Sequence, residues 1–179
     1  MLVTHQHPDH FDIERLTKWA SADQSRHVFG PEAVVSQLGE VDAGQRHAVE
    51  EGDGFGAAGF EVLAVGRSHA RIHPDIPLVP NVAYLIEECV LHPGDSFTPP
   101  PPGVSVGVLT LPVSAPWLKV AEAVDYLRQV GPSVAIPIHD GFLNDAGKAL
   151  HDRVIGGLAG ELTYQRLDPG EPLTVTPPG

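Results

Sequence analysis

The sequence predicts an α/β fold, a single domain over residues 1–179 in which a mixed or parallel sheet is covered by helices. Three observations predict it. From Val104 onward, β-branched runs alternate with helix-length segments: strand Val106 to Leu111, helix about Leu118 to Val130, strand Val134 to Ile138, helix about Asp145 to Leu158, strand Leu162 to Leu167. The first forty residues open in the same βαβα manner. Metal-type side chains at His5, His69 and His139 fall at predicted strand ends, where α/β sheets gather their ligand sites. An apolar content of 42% with 19% charged residues is globular composition, and a domain of this length buries roughly 70% of its unfolded surface.

Met1 to Thr4 reads as the tail of a strand running into a His-rich loop, with Asp12 as N-cap of a helix over Ile13 to Ala22. Val28-Phe29 is a short strand, and Pro31 and Gly39 bracket a second helix over Glu32 to Leu38. From Arg46 to Gly66 the signals become those of hairpins: Gly52-Asp53-Gly54 and Ala57-Ala58-Gly59 are turns, and Phe60 to Val65 is a strand ending just before Ser68-His69. Ala70 to Pro80, with three prolines, is a loop beside His69. Val82 to Ile86 and Val90 to His92 pair across Glu87-Glu88 and deliver Gly94-Asp95, and Pro99 to Pro102 forms an extended rim.

Eleven Lys and Arg against 23 Asp and Glu give a net charge of −12 with no basic cluster. Such a field repels polyanions and anionic membrane surfaces, so nucleic acid and membrane are excluded as expected partners and a small-molecule substrate is favoured. The lone Cys89 excludes an internal disulfide. No apolar run approaches the ~18 residues of a spanning helix, so the cytoplasm is the expected compartment.

His5, His7, Asp9 and His10 fall within six residues. An irregular loop can turn alternate residues His5 and His7 toward one ion while Asp9 and His10 reach a neighbour, and imidazole with carboxylate suits zinc, manganese or iron. The remaining ligands must come from elsewhere. His69 is chosen over His73 because the strand register ends at His69, whereas His73 lies in the proline-rich loop. His92 reads as a supporting residue, His27, His47 and His151 as surface or structural, and Trp117 as core. Arg67 and Arg71 are candidates to grip a substrate anion or to be solvated loop arginines. Asp9 and Asp140 are the candidates for general acid.

Thr4-His5-Gln6-His7-Pro8-Asp9-His10, a strand ending in His69, Gly94-Asp95 and Pro137-Ile138-His139, in that order, resemble the metallo-β-lactamase superfamily. Ala64 to His69, His92-Pro93-Gly94-Asp95 and Pro137 to His139 are most similar to its ascorbate-6-phosphate lactonase-like branch. The resemblance implies an αββα sandwich and two divalent transition-metal ions, zinc in the first place. One ion would be held by His5, His7 and His69 and a second by Asp9, His10 and His139, with Asp95 bridging. It implies a hydrolase that directs hydroxide from this dinuclear site at an ester, lactone or phosphodiester, with Asp9 and Asp95 as catalytic residues. The alternative is a metal-binding but inactive member.

Members of that superfamily carry several further strands before the His-rich run, which in this sequence opens at Thr4. The sandwich is therefore expected to be N-terminally incomplete, leaving an apolar face and an unpaired edge near Met1 to Thr4 that a second copy of the chain would cover. Light scattering at micromolar concentration should accordingly report a homo-oligomer; a clean monomer contradicts the expectation.

Overall fold

A computed structural model describes residues 1–175. In chain order its elements are α1 (Ile13–Ser21), β1 (Val28–Gly30), α2 (Glu32–Val35), β2 (Arg46–Ala48), β3 (Gly54–Ala57), β4 (Phe60–Val65), β5 (Ala83–Ile86), β6 (Val90–His92), β7 (Val108–Pro112), α3 (Val120–Val130), β8 (Val134–Ile138), α4 (Asp145–Leu158) and β9 (Thr163–Tyr164).

The apolar residues of β4 and β5 occupy both faces of their sheet, and that dictates the layering. Val65, Ala83 and Leu85 point into one core with α3 and α4, while Val62, Ala64 and Tyr84 point into another with Leu2, Phe29 and Val49. A third core joins Val3 and Val28 to α1 and α2 through Phe11, Leu16, Ala20, Val34 and Leu38. Helices, a small sheet, a large sheet and helices thus stack in four layers, the αββα arrangement. The small sheet is β1 paired in parallel with β2, extended by a bridge from Leu2 to Phe29. The large sheet runs in the order β3-β4-β5-β6-β7-β8-β9, antiparallel from β3 to β6 and parallel from β6 to β9.

Two antiparallel steps separate β4 from β6, so both run the same way, and β7 and β8 follow β6 in parallel. The C-terminal ends of β4, β6, β7 and β8 therefore meet at one rim of the sheet. The segments that leave this rim carry His69, Asp95, Trp117 and His139.

Several elements differ from the sequence reading. Met1 to Thr4 contributes one bridge instead of a strand, although Val3 N–H still bonds the Phe29 carbonyl at 2.9 Å and Val82 N–H bonds the Thr4 carbonyl at 2.9 Å. Arg46 to Ala48 is not part of a hairpin: it pairs in parallel with β1, and Val49 N–H continues the contact to the Gly30 carbonyl. The second helix stops after one turn because the Ser36 hydroxyl and Gln37 amide donate back to the Glu32 and Ala33 carbonyls, competing with the backbone ladder. The last strand has only two laddered residues.

One close approach governs how β6 delivers its residues to the rim. Gly94 adopts φ +62°, and a Cβ there would lie 2.5 Å from Asn81 Oδ1 and 2.8 Å from Thr4 Cβ. Gly131, which ends α3 at φ +60°, has nothing nearer than 4.0 Å. Gly131→Ala should therefore cost about 1 kcal/mol of left-handed strain. Gly94→Ala carries the same strain and about 1–3 kcal/mol more from overlap. Urea unfolding of the two variants checks the difference; equal losses contradict it.

Candidate metal centre

The chain leaves the Leu2 bridge through Thr4 and turns sharply, His10 and Phe11 both donating N–H to the His7 carbonyl at 2.9 Å. That turn folds His5, His7, Asp9 and His10 around one point. The His5 ring lies 4.8 Å from His7, 4.2 Å from His10 and 4.9 Å from His69, centroid to centroid. His69 is brought in by its N–H bond to the Val79 carbonyl and by the Ala70 N–H bond to the Asp95 carbonyl. His139 follows β8 directly and stacks 5.1 Å from His10.

Three overlapping groups result: His5, His7 and His69; His5, His10 and Asp95; and Asp9, His10 and His139. Within each, the candidate ligand atoms lie within 4.8 Å of one another. Asp95 is the hub, its Oδ2 3.4 Å from His69 Nε2 and 3.2 Å from His139 Nε2, and its Oδ1 3.2 Å from His10 Nε2. Asp9 Oδ2 lies 3.7 Å from both His10 Nε2 and His139 Nε2 on the open side, with its side chain 46% exposed.

The far ring nitrogens are already spoken for. His69 Nδ1 bonds the Ala70 carbonyl at 2.5 Å and His139 Nδ1 the Ser114 carbonyl at 2.6 Å, while His5 Nδ1 meets the Thr4 hydroxyl at 3.0 Å. A carbonyl only accepts, so His69 and His139 carry their proton on Nδ1 when neutral, which leaves the Nε2 lone pair facing the centre. His5 Nε2, His69 Nε2 and Asp95 Oδ1 are buried without a hydrogen-bond partner. Unsatisfied buried groups of this kind are costly, and imidazole nitrogens converging with carboxylate oxygens are the donor set of a divalent transition metal, so the residues fit such ions.

Protonation states agree with that fit. Burial pushes His5 down to about 3, and burial likewise lowers His7 and His10, so these rings stay neutral. Burial alone would raise the Asp95 carboxyl, but the His139 ring beside it and the Trp117 Nε1–H reverse it and hold the group far below the usual carboxylate range. His139 is pushed up to about 9, chiefly by its bond to Asp95.

All seven residues expected as ligands, His5, His7, Asp9, His10, His69, Asp95 and His139, are thus brought together. His73 is not among them; it is exposed and meets only Asp75 at 3.6 Å. Arg67 is paired with Glu51, and Arg71 is exposed. His92 bonds the Thr110 hydroxyl at 2.6 Å between β6 and β7, and burial pushes it down to about 4. His27 bonds His47 and His151 bonds the Gly147 carbonyl, both away from the centre.

Three supporting residues were not found by sequence reasoning. Trp117 is core, as expected, but it also donates Nε1–H to Asp95 Oδ2 at 2.9 Å; a buried indole needs an acceptor, and that was the available signal. Ser114 acts through its carbonyl, which no side-chain pattern advertises. Asn81 is fully buried, giving Nδ2–H to the Pro93 carbonyl at 2.9 Å and accepting Asp95 N–H at 3.0 Å, and a single Asn before a strand gives no warning of this.

Residues 1–139 match the family described as Beta-lactamase superfamily domain. Protein Rv0786c of Mycobacterium tuberculosis is 39% identical over 156 residues, 84% of this chain and 71% of that protein. The UPF0173 protein PF0020 of Pyrococcus furiosus is 30% identical over 161 residues, 82% of this chain and 68% of that one. Among solved structures, Igni18, a metallo hydrolase from the archaeon Ignicoccus hospitalis, superposes with a TM-score of 0.67 at 18% identity, over 95% of this chain and 76% of its own, a likeness of fold.

Asn81→Leu keeps the branched shape but orphans the buried Asp95 N–H, while the Pro93 carbonyl keeps the Ser96 hydroxyl at 2.9 Å, so the variant should lose roughly 1–3 kcal/mol. Chemical denaturation of the metal-free protein measures it; a loss near zero removes Asn81 from this role.

Proposed function

The chain belongs to the β-lactamase superfamily, with the metallo-β-lactamase fold, and on that premise we propose that it is a metal-dependent hydrolase of a small-molecule ester, lactone or phosphodiester. The observation that carries the proposal is the set of buried, unpartnered acceptor atoms on His5, His69 and Asp95 at the meeting point of the ligand groups. His5, His7 and His69 would hold one ion, Asp9, His10 and His139 a second, with Asp95 shared between them. Divalent cations bound there lower the pKa of water toward neutrality and polarise a carbonyl or phosphoryl oxygen.

The chain's own residues supply the rest. Trp117 and the carbonyls of Ala70 and Ser114 fix the rotamers and tautomers of Asp95, His69 and His139, so little reorganisation remains when a reaction begins. Where Asp9 is not committed to an ion, its carboxylate on the open side would take a proton from water and hand it to a leaving group. Asp140 does not have that freedom, because Arg166 and Lys148 engage its carboxylate. Phe142, 74% exposed and 6.4 Å from the His139 ring, offers contact to an apolar acyl or aryl group. The net charge of −12 favours small substrates over polyanions. The lactonase-like motifs favour a lactone or ester first. Among the described residues no helix is long and apolar enough to cross a membrane.

Purified protein should carry close to two equivalents of zinc, manganese or iron by elemental analysis, and His7→Ala should lose both metal and thermal stability. On a panel of lactones, aryl esters and bis-aryl phosphodiesters with added Zn or Mn, Asp95→Ala should lose about 10²–10³ in rate, the loss expected for one preorganised electrostatic contact. An Asp95→Ala protein at full rate contradicts the shared-ligand role. Metal without turnover on any substrate favours the inactive, metal-binding alternative.

A further inference from the structure

The family match ends at His139, whereas α4 and β9 lie beyond it. Those elements meet the metal centre through the residue next to His139. His139 itself has φ +58°, a left-handed conformation that a side-chain-bearing residue holds only where its surroundings over-determine it. One restraint is its Nδ1–H bond to the Ser114 carbonyl at 2.6 Å. The other comes through Asp140, whose Oδ2 is ion-paired with Arg166 Nη1 and lies 3.8 Å from Lys148 Nζ.

Arg166 is held on its other side in turn. Its Nε and Nη2 donate to the two oxygens of Asp152 at 2.7 and 2.8 Å, a planar fork that lysine cannot reproduce. The Tyr164 hydroxyl donates to Asp152 Oδ1 at 2.7 Å, and Gln165 N–H bonds the Ala135 carbonyl, continuing the register of β9 on β8. One guanidinium therefore ties α4, β9 and the turn after β8 into a single network whose last member is covalently joined to a candidate ligand. Exposed ion pairs contribute little, but Arg166, Asp140 and Asp152 are all partly buried, with side-chain exposures of 29, 19 and 28%.

We infer that Arg166 is a positioning residue for His139: by holding Asp140 against Asp152 it fixes the left-handed turn that keeps His139 Nε2 3.2 Å from Asp95 and 3.1 Å from His10. The inference rests on the metal reading above. It assigns the segment beyond the family match a task at the centre.

The test is zinc titration and imidazole NMR on the full chain, stripped with chelator, comparing the parent with Arg166→Met, Arg166→Lys, Asp140→Asn and the Arg166→Met/Asp140→Asn double variant. In Arg166→Met the first zinc equivalent should bind as in the parent and the second should weaken about tenfold or more, the usual effect of losing a residue that orients a ligand. Arg166→Lys should recover part of it, Asp140→Asn should reproduce it, and the double variant should be no worse than either single one. In zinc-free protein the His139 Nδ1–H resonance, protected by Ser114, should shift or broaden in Arg166→Met and Asp140→Asn. If Arg166→Met fails to fold, Arg166→Lys and Asp140→Asn carry the same readouts. Unchanged second-equivalent affinity and an unchanged His139 resonance, with only the melting temperature lowered, overturn the inference and leave Arg166 a staple between β9 and α4. A parent that binds no zinc sinks the metal reading instead, and the His139 resonance then decides the inference alone.

Discussion

The Asp95 carboxylate, buried and ionised among four imidazoles, is the constraint to which the rest of the centre answers. Left alone, burial would neutralise it. Donors from two separate connections, Trp117 after β7 and His139 after β8, keep it charged. Each donor is anchored from behind, His139 by the Ser114 carbonyl and Trp117 by packing against Phe97. The carboxylate thus organises its ligand set before any cation arrives.

That convergence follows from strand direction. Had β4 run opposite to β6, His69 would lie at the far rim, some 20 Å away for strands of typical length. Two antiparallel steps restore its direction, and the hairpin across Glu87-Glu88 that makes the second step tolerates positive φ at both residues. Backbone strain also collects at His139, and Gly94 makes its left-handed turn where a Cβ would not fit beside the centre.

The layers have separate duties. The core shared by β7, β8, α3 and α4 is dense and aliphatic and supports the rim that bears Asp95, Trp117 and His139. The core around α1 and the small sheet supports the His5 to His10 loop. Tyr84 joins the two, reaching from the large sheet to the Val3 carbonyl at 2.8 Å, two residues before His5. The two halves of the ligand set are thus carried on different sheets and depend on inter-sheet packing for their registry.

The candidate ligand types and the long, strongly patterned elements were determined by the sequence alone. Phe60 to Val65, Val90 to His92, Val134 to Ile138 and Asp145 to Leu158 were read with their observed bounds, since local pattern suffices where a run is bounded by turn residues or caps. His5, His7, Asp9 and His10 stood out as candidate ligands because they crowd into one loop, and His69, Asp95 and His139 joined them through strand-end positions taken together with the superfamily resemblance. Tertiary structure decided the rest. Whether Arg46 to Ala48 pairs with β1 or folds as a hairpin depends on which edge is nearby, a non-local fact. Asn81, Trp117 and the Ser114 carbonyl serve the centre through partners 14, 22 and 25 residues away, and Arg166 reaches Asp140 across 26. A hydrogen bond is defined by distance and angle between groups that only the folded chain brings together, so no pattern in a single sequence could have assigned these residues their roles.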